Sequence, residues 1–269
     1  MNLLILLIPI LFSLQHISVR IGSERAETLN GIYVSLLVST VLFSPSILNP
    51  TIDGAFIFYM SVAGILQFFF ARICLYLAIS RIGANLSAPL SATRIFFATI
   101  FGVFLGEMIT LNIILASILI FVGIFLISRA EKRRDYIGIT LAILTGFFAS
   151  LSSYLIKFGN SIEYNPVFAS FLGFAISTLL LTPVMRGRNL RYTKIFALGG
   201  VLGAIAHLIR YIVLKYEPVT VVEPITSAHP LFTLFFTAVF LREKEVFTFK
   251  SIFGTFAVII GIYFLILLK

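Results

Sequence analysis

Apolar residues run through this chain in long blocks, not in the stripes or alternations of a water-soluble fold. The blocks fall at about 2–19, 30–48, 55–80, 83–106, 110–128, 136–157, 165–184, 193–215, 218–241 and 247–268. Each is near the roughly 20 residues that a helix needs to cross the hydrocarbon core of a bilayer. The pattern predicts ten transmembrane helices, with connections too short to hold a soluble domain. The first block has no charged start and no small-residue cleavage site, and it aligns with the sixth (Arg20-Ile21-Gly22 against Lys157-Phe158-Gly159). It therefore reads as a retained helix and not as a secretion signal.

The blocks also repeat. LLVSTVLFSP, ending at Pro45, returns as FAISTLLLTP, ending at Pro183, an offset of 138. VFLGE, ending at Glu107, returns as VFLRE, ending at Glu243, an offset of 136. VGIFLI around Gly123 returns as IGIYFLI around Gly261, again at 138. Three anchors at nearly one offset divide the chain into residues 1–131 and 132–269, five spans each. Five is odd, so the two copies must run through the membrane in opposite senses. Inverted duplication of this kind is a recurring plan of transporters whose site lies where the halves meet.

Composition agrees: 59% of residues are hydrophobic, 12% are charged, and the net charge is +9. The sign of that charge has a side. The odd-numbered connections carry Arg20, Arg25, Arg81, Arg129, Lys132, Arg133, Arg134, Arg186, Arg188, Arg191, Lys194, Arg242, Lys244 and Lys250, which is 14. The other side carries Lys157, Lys215 and Lys269, which is 3. The positive-inside rule then puts the odd connections in the cytoplasm and both termini outside, in the plasma membrane. The basic run at 129–135 is read as this signal plus attraction to anionic membrane lipids, not as a nucleic-acid site. The lone Cys74 excludes an intrachain disulfide.

Three arginines remain inside predicted spans: Arg72, Arg94 and Arg210. A cation at a helix centre costs roughly 2.5–3.5 kcal/mol on insertion scales, so such residues usually face a polar interior. Snorkelling to the head groups competes with that reading for Arg72 and Arg210. A structural pair with Glu223 competes with it for Arg94. Ser87, Ser91, Arg94 and Ala98 share one face of the fourth span, and Glu223, Ser227, Pro230 and Leu234 are their counterparts in the ninth. Pro89, Pro224 and Pro230 can bend these helices or free backbone carbonyls, which is tolerated beside a cavity. The hydroxyls alone read as helix packing, as do Gly123, Gly199, Gly200, Gly203 and Gly261. His16, His207 and His229 also fall within spans and are candidates for a proton relay or for interior hydrogen bonding. Gln15, Gln67, Tyr76 and Asn85 are neutral candidates for lining. The 29 Phe and 10 Tyr read as lipid-facing and packing bulk. No metal-ligand spacing, cofactor motif, P-loop or nucleophile elbow is present, which argues against an enzyme or an ATP-driven pump.

The five-span repeats, the LGE and LRE closing spans 4 and 9, the PLF at Pro230 and the following G-I-hydrophobic run resemble the drug/metabolite transporter superfamily, in its ten-helix EamA-like branch. The resemblance covers essentially the whole chain. It implies an all-α membrane fold in which spans 1–4 and 6–9 surround a central cavity and spans 5 and 10 support it. Two departures stand out. Arg94 occupies the place of the family's usual proline in span 4, and the usual basic connection after span 2 is replaced by SPSILNPTIDG. Small multidrug-exporter relatives carry a carboxylate in span 1, where this chain has Gln15 and His16, which argues against cationic-drug exchange.

The expected function is secondary transport of a small metabolite by alternating access. Three central arginines against one central carboxylate favour an anionic or zwitterionic substrate such as an amino acid, organic acid or phosphate ester. Arg94 is the expected anchor, Arg72 and Arg210 contact the substrate from either half, and Glu223 is a pair partner or proton site. Ser91, Ser227 and Tyr76 complete the expected substrate-binding set. The alternative is a flippase of a lipid-linked head group. A single chain can suffice, since the duplication supplies both halves, and the sequence leaves a dimer open.

Overall fold

The computed structural model describes residues 3–104, 111–128, 135–217, 219–245 and 247–267. Glu107 and the basic run at 129–134 lie outside these residues. The described chain is all-helical and forms a multi-pass membrane bundle. After a 3-10 turn at Leu3–Leu6, α1 covers Leu7–Ser23 and α2 covers Thr28–Phe43. The third span, α3, runs Gly54–Ile82 with a π-helical turn at Ile65–Ala71. The fourth, α4, is broken into Ala84–Ser91 and Arg94–Phe104. Then come α5 (Leu111–Ser128), α6 (Tyr136–Ile162), α7 (Pro166–Leu181) and α8 (Lys194–Tyr216). The ninth, α9, is broken into Val219–Thr226 and His229–Phe240, and α10 covers Phe249–Leu267.

The repeat seen in the sequence is a repeat of local structure. Pro45 and Pro183 each open a 3-10 turn at the end of α2 and α7, where a missing N–H is harmless. The breaks at Ala92–Thr93 and Ser227–Ala228 are likewise equivalent. Pro230 sits in the first turn after the second break, where proline is tolerated, while the first copy reaches the same geometry with Arg94.

Packing exchanges the copies. Helix α1 lies on α8 and α6 on α3; α2 lies on α8 and α7 on α3; α9 lies on α1 and α4 on α6. The pairs α2–α7 and α5–α10 are self-equivalent. The hydrogen bonds obey the same rule. Ser39 donates to the Gly200 carbonyl at 3.1 Å, and its counterpart Ser177 donates to the Gly64 carbonyl at 3.4 Å. Gly200 abuts the Ser35 backbone, and Gly64 abuts Gly173, so α2–α8 and α7–α3 approach backbone to backbone. Where the axis relating the copies passes between α2 and α7, equivalent residues meet: Thr40 Oγ1 and Thr178 Oγ1 are 2.9 Å apart. Gly123 on α5 packs on Gly254 of α10, a methyl at either running into the other's carbonyl oxygen.

The two ends of the bundle differ. Among the described residues the ion pairs outside the spans join odd-numbered connections and the helix ends beside them. Arg20 meets Glu245 at 2.9 Å, Lys244 meets Glu24 at 2.6 Å, Arg81 meets Asp135 at 2.9 Å, and Arg188 meets Glu27 at 2.5 Å. At the opposite end, lysines bond to helix-terminal carbonyls instead. Lys157 Nζ donates to the Leu214 and Glu217 oxygens, and Lys215 Nζ to that of Asn160.

Candidate functional site

The broken helices place charge in the middle of the bundle. Arg94 is the first residue of the second half of α4, and its Nε lies 2.7 Å from Glu223 Oε2 on the first half of α9. The other Glu223 oxygen accepts from Ser153 Oγ of α6 at 2.6 Å and from Arg210 Nε of α8 at 3.1 Å. Arg210 is fully enclosed. It donates also to Gln67 Oε1 in the π turn of α3 at 3.2 Å, to the Ala149 carbonyl at 3.2 Å, and to the Ser153 hydroxyl. One buried carboxylate thus serves two guanidinium groups, one from each copy.

The break in α4 depends on a glycine of α6. A methyl at Gly146 would stand 2.8 Å from the Arg94 amide nitrogen and 3.0 Å from the Ser91 carbonyl oxygen. The unwound turn rests where that side chain would be.

Arg72 is held differently. It follows the π turn of α3, is 3% exposed, and donates to Ser35 Oγ of α2 at 3.3 Å. Its guanidinium carbon lies 5.0 Å from the Phe174 ring centroid, 5.8 Å from Phe68 and 5.9 Å from Tyr76. Phe68 and Phe174 are themselves stacked at 3.8 Å. Ring faces offset part of the cost of a buried cation. Among the described residues no carboxylate comes within ion-pair distance of Arg72, and its Nη2 has no hydrogen-bond partner.

A cavity of about 40 Å³ lies between these groups. It is lined by Arg72, Arg94, Ser91, Gln15, Gln67 and all three histidines, with Phe12, Leu75 and Thr145 among the rest. Arg210, Glu223, Ser227 and Tyr76 are buried but do not line it. Tyr76 reaches its edge by accepting a hydrogen bond from Gln15 Nε2 at 3.2 Å, and Glu223 and Arg210 stand one residue behind, through Arg94 and Gln67. His229 Nε2 lies 3.3 Å from Ser91 Oγ, and its Nδ1 lies 2.9 Å from the Thr226 carbonyl oxygen. The His16 and His229 rings meet edge to face at 5.1 Å, while His207 packs between Phe12 and Phe68 at 4.9 Å from each. Such a volume holds about two or three waters. Any metabolite larger than that needs the helices to part.

Sequence reading missed two parts of this centre. The ring cage on Arg72 has a partial signal, because Phe68, Arg72 and Tyr76 are spaced by four and share a helix face. Phe174, arriving from the other copy, has none. The seat at Gly146 is equally silent until α6 is placed on α4.

The profile of the EamA-like transporter family matches residues 1–129 and 136–267. An uncharacterized transporter of Archaeoglobus fulgidus is 22% identical over 268 residues, which cover 96% of this chain and 95% of that protein. A solved crystal structure superposes with a TM-score of 0.68 at 13% identity, covering 98% of this chain and 96% of that one, a likeness of fold alone.

Proposed function

We propose that this chain, which belongs to the EamA-like transporter family, carries a small anionic or zwitterionic metabolite across the plasma membrane by alternating access between its two copies. The carrying observation is Arg72. A buried cation with an unused N–H, no carboxylate partner among the described residues and a wall on the cavity is offset by a ligand that brings negative charge. Counting the buried arginines against Glu223 leaves an excess of two positive charges at the centre (three minus one). Amino acids, organic acids and phosphate esters all carry the group that answers it.

In this reading Arg72 and Arg94 contact the anion, with Ser91 and Gln15 beside them, while Arg210 and Glu223 set the position and charge of Arg94. Ser227 and Tyr76 contribute only from behind the lining. His16, His207 and His229 gather at the cavity and offer a route for a coupled proton, with Glu223 as its other candidate. The repeats 1–131 and 132–269 are the bodies that exchange conformation. The distribution of lysine and arginine supports cytoplasmic odd connections and external termini.

The test is thermal unfolding of the purified protein against a panel of amino acids, carboxylates and phosphate esters, since a ligand preferring the folded form raises its melting temperature. At least one anion is expected to do so, and Arg72→Gln is expected to fold and lose that response. The reading fails if no anion stabilises the protein, or if Arg72→Gln responds as the wild type does.

A further inference from the structure

Glu245 stands in the connection between α9 and α10, where a carboxylate would ordinarily face water. Instead it is 8% exposed and makes three bonds. Its Oε1 accepts from the Ala84 amide at 2.9 Å and pairs with Arg20 Nε at 2.9 Å, and its Oε2 accepts from the Asn85 amide at 3.0 Å. The second copy is thereby fastened to the N-terminus of α4 and the end of α1, both in the first copy. Anions are favoured at a helix N-terminus, and this one is an internal side chain. The preceding Gly83 has φ +82, and a Cβ there would run into the Glu245 carboxylate. Arg20 adds a bond to the Lys244 carbonyl at 3.1 Å, and Lys244 reaches Glu24 at 2.6 Å.

The segment so held, Ala84–Ser91, is the same one that ends at the break and lines the cavity with Ser91. Its eight residues span about 12 Å of helix. A bond at one end therefore fixes the wall at the other.

Among the described residues the opposite end is held by different bonds. Arg20 aligns with Lys157 at the opposite end of the bundle, where Lys157 Nζ donates to the Leu214 and Glu217 carbonyls just before α9 begins. At the offset of 138, the position of Glu245 falls on Glu107, which lies outside the described residues. Among the described residues, a buried carboxylate with three partners ties helices together at the odd-connection end, and lysine–carbonyl bonds do so at the other.

We infer that Glu245 is a positioning residue of the transport cycle, holding the odd-connection end of the cavity shut by bridging α1 and α4 to the α9–α10 connection, and releasing them when that end opens. The inference rests on alternating access and not on the nature of the substrate.

The test needs no substrate. A Leu75→Cys reporter in the cavity, in Cys74→Ser protein, is labelled with a membrane-impermeant thiol reagent in sealed vesicles of either orientation. Glu245→Gln and Glu245→Ala are expected to raise labelling from the odd-connection face by about tenfold, the scale of one or two lost charge-assisted hydrogen bonds, and to lower it from the other face. Lys157→Met is expected to shift both rates the opposite way. The inference is overturned if Glu245→Gln changes neither rate, if it raises both together as a loosened fold would, or if Lys157→Met shifts them in the same sense.

Discussion

Arg94 of the first copy and Glu223 of the second meet at 2.7 Å in the centre of the bundle, and the same carboxylate also binds Arg210 at 3.1 Å. Glu223→Gln removes the counter-charge of two buried cations at once. Breaking a buried pair from one side costs about 3–5 kcal/mol, so the melting temperature should fall sharply. Arg94→Gln combined with Glu223→Gln should cost less than the two single changes added. A thermal-unfolding double-mutant cycle reads that coupling, and strict additivity would mean the pair is not a unit.

Arg210 and Arg72 are both buried, yet their surroundings predict different sensitivities. Arg210 spreads its nitrogens over Glu223, Gln67, Ala149 and Ser153, a planar fork that a single ammonium cannot copy. Arg72 bonds to Ser35 Oγ, its one hydrogen bond among the described residues, and rests on rings. Arg210→Lys should therefore destabilise by about 2–3 kcal/mol more than Arg72→Lys, given the size of hydrogen bonds to charged groups. Unfolding of the two variants side by side decides this.

Gly146 couples packing to the placement of Arg94. Alanine there meets backbone atoms at 2.8 and 3.0 Å, and backbone cannot step aside as a side-chain tip can. Overpacking of this kind costs about 1–3 kcal/mol. Gly200→Ala meets the Ser35 carbonyl oxygen at 2.7 Å and should cost a similar amount. Gly146→Ala should also weaken the melting shift given by a stabilising anion, because it moves the turn that carries Arg94.

Asp135 caps α6 at the odd-connection end. The Gly138 amide, foremost, and then Arg81 at 2.9 Å hold its carboxyl below the usual range. A depressed folded value means its contribution is complete above the unfolded value near 4 and fades as pH falls through the folded one. The melting difference between wild type and Asp135→Asn should be flat from neutral pH down to about 5 and shrink below about 4. Since the pair is largely exposed, the effect should stay under about 1 kcal/mol.

The architecture was legible because lipid forces long apolar runs and because duplication left Pro45 and Pro183, or Ser39 and Ser177, in matching roles. The Arg94–Glu223 contact was legible as well: lone charges within spans have few possible partners. What stayed hidden depends on the order of helices around the centre. Phe68 was in view as ordinary bulk and Tyr76 as a lining and substrate-binding candidate, and only the arrival of Phe174 from α7 makes them a cage. Gly123 was read as a contact glycine, but its partner Gly254 could not be named. Glu245 gave no signal, since a carboxylate in a connection looks solvated until two amides of a distant helix turn toward it.

Thr40 and Thr178 touch although they are the same residue of two opposed copies. A seesaw has one point that travels nowhere, and for exchanging partners it is the line about which each becomes the other. That pair of hydroxyls straddles it. In the proposed alternating access, as the arms tilt and the bolts at the rim let go, this fulcrum would keep its grip in both poses, and the carrier would rock without coming apart in the middle.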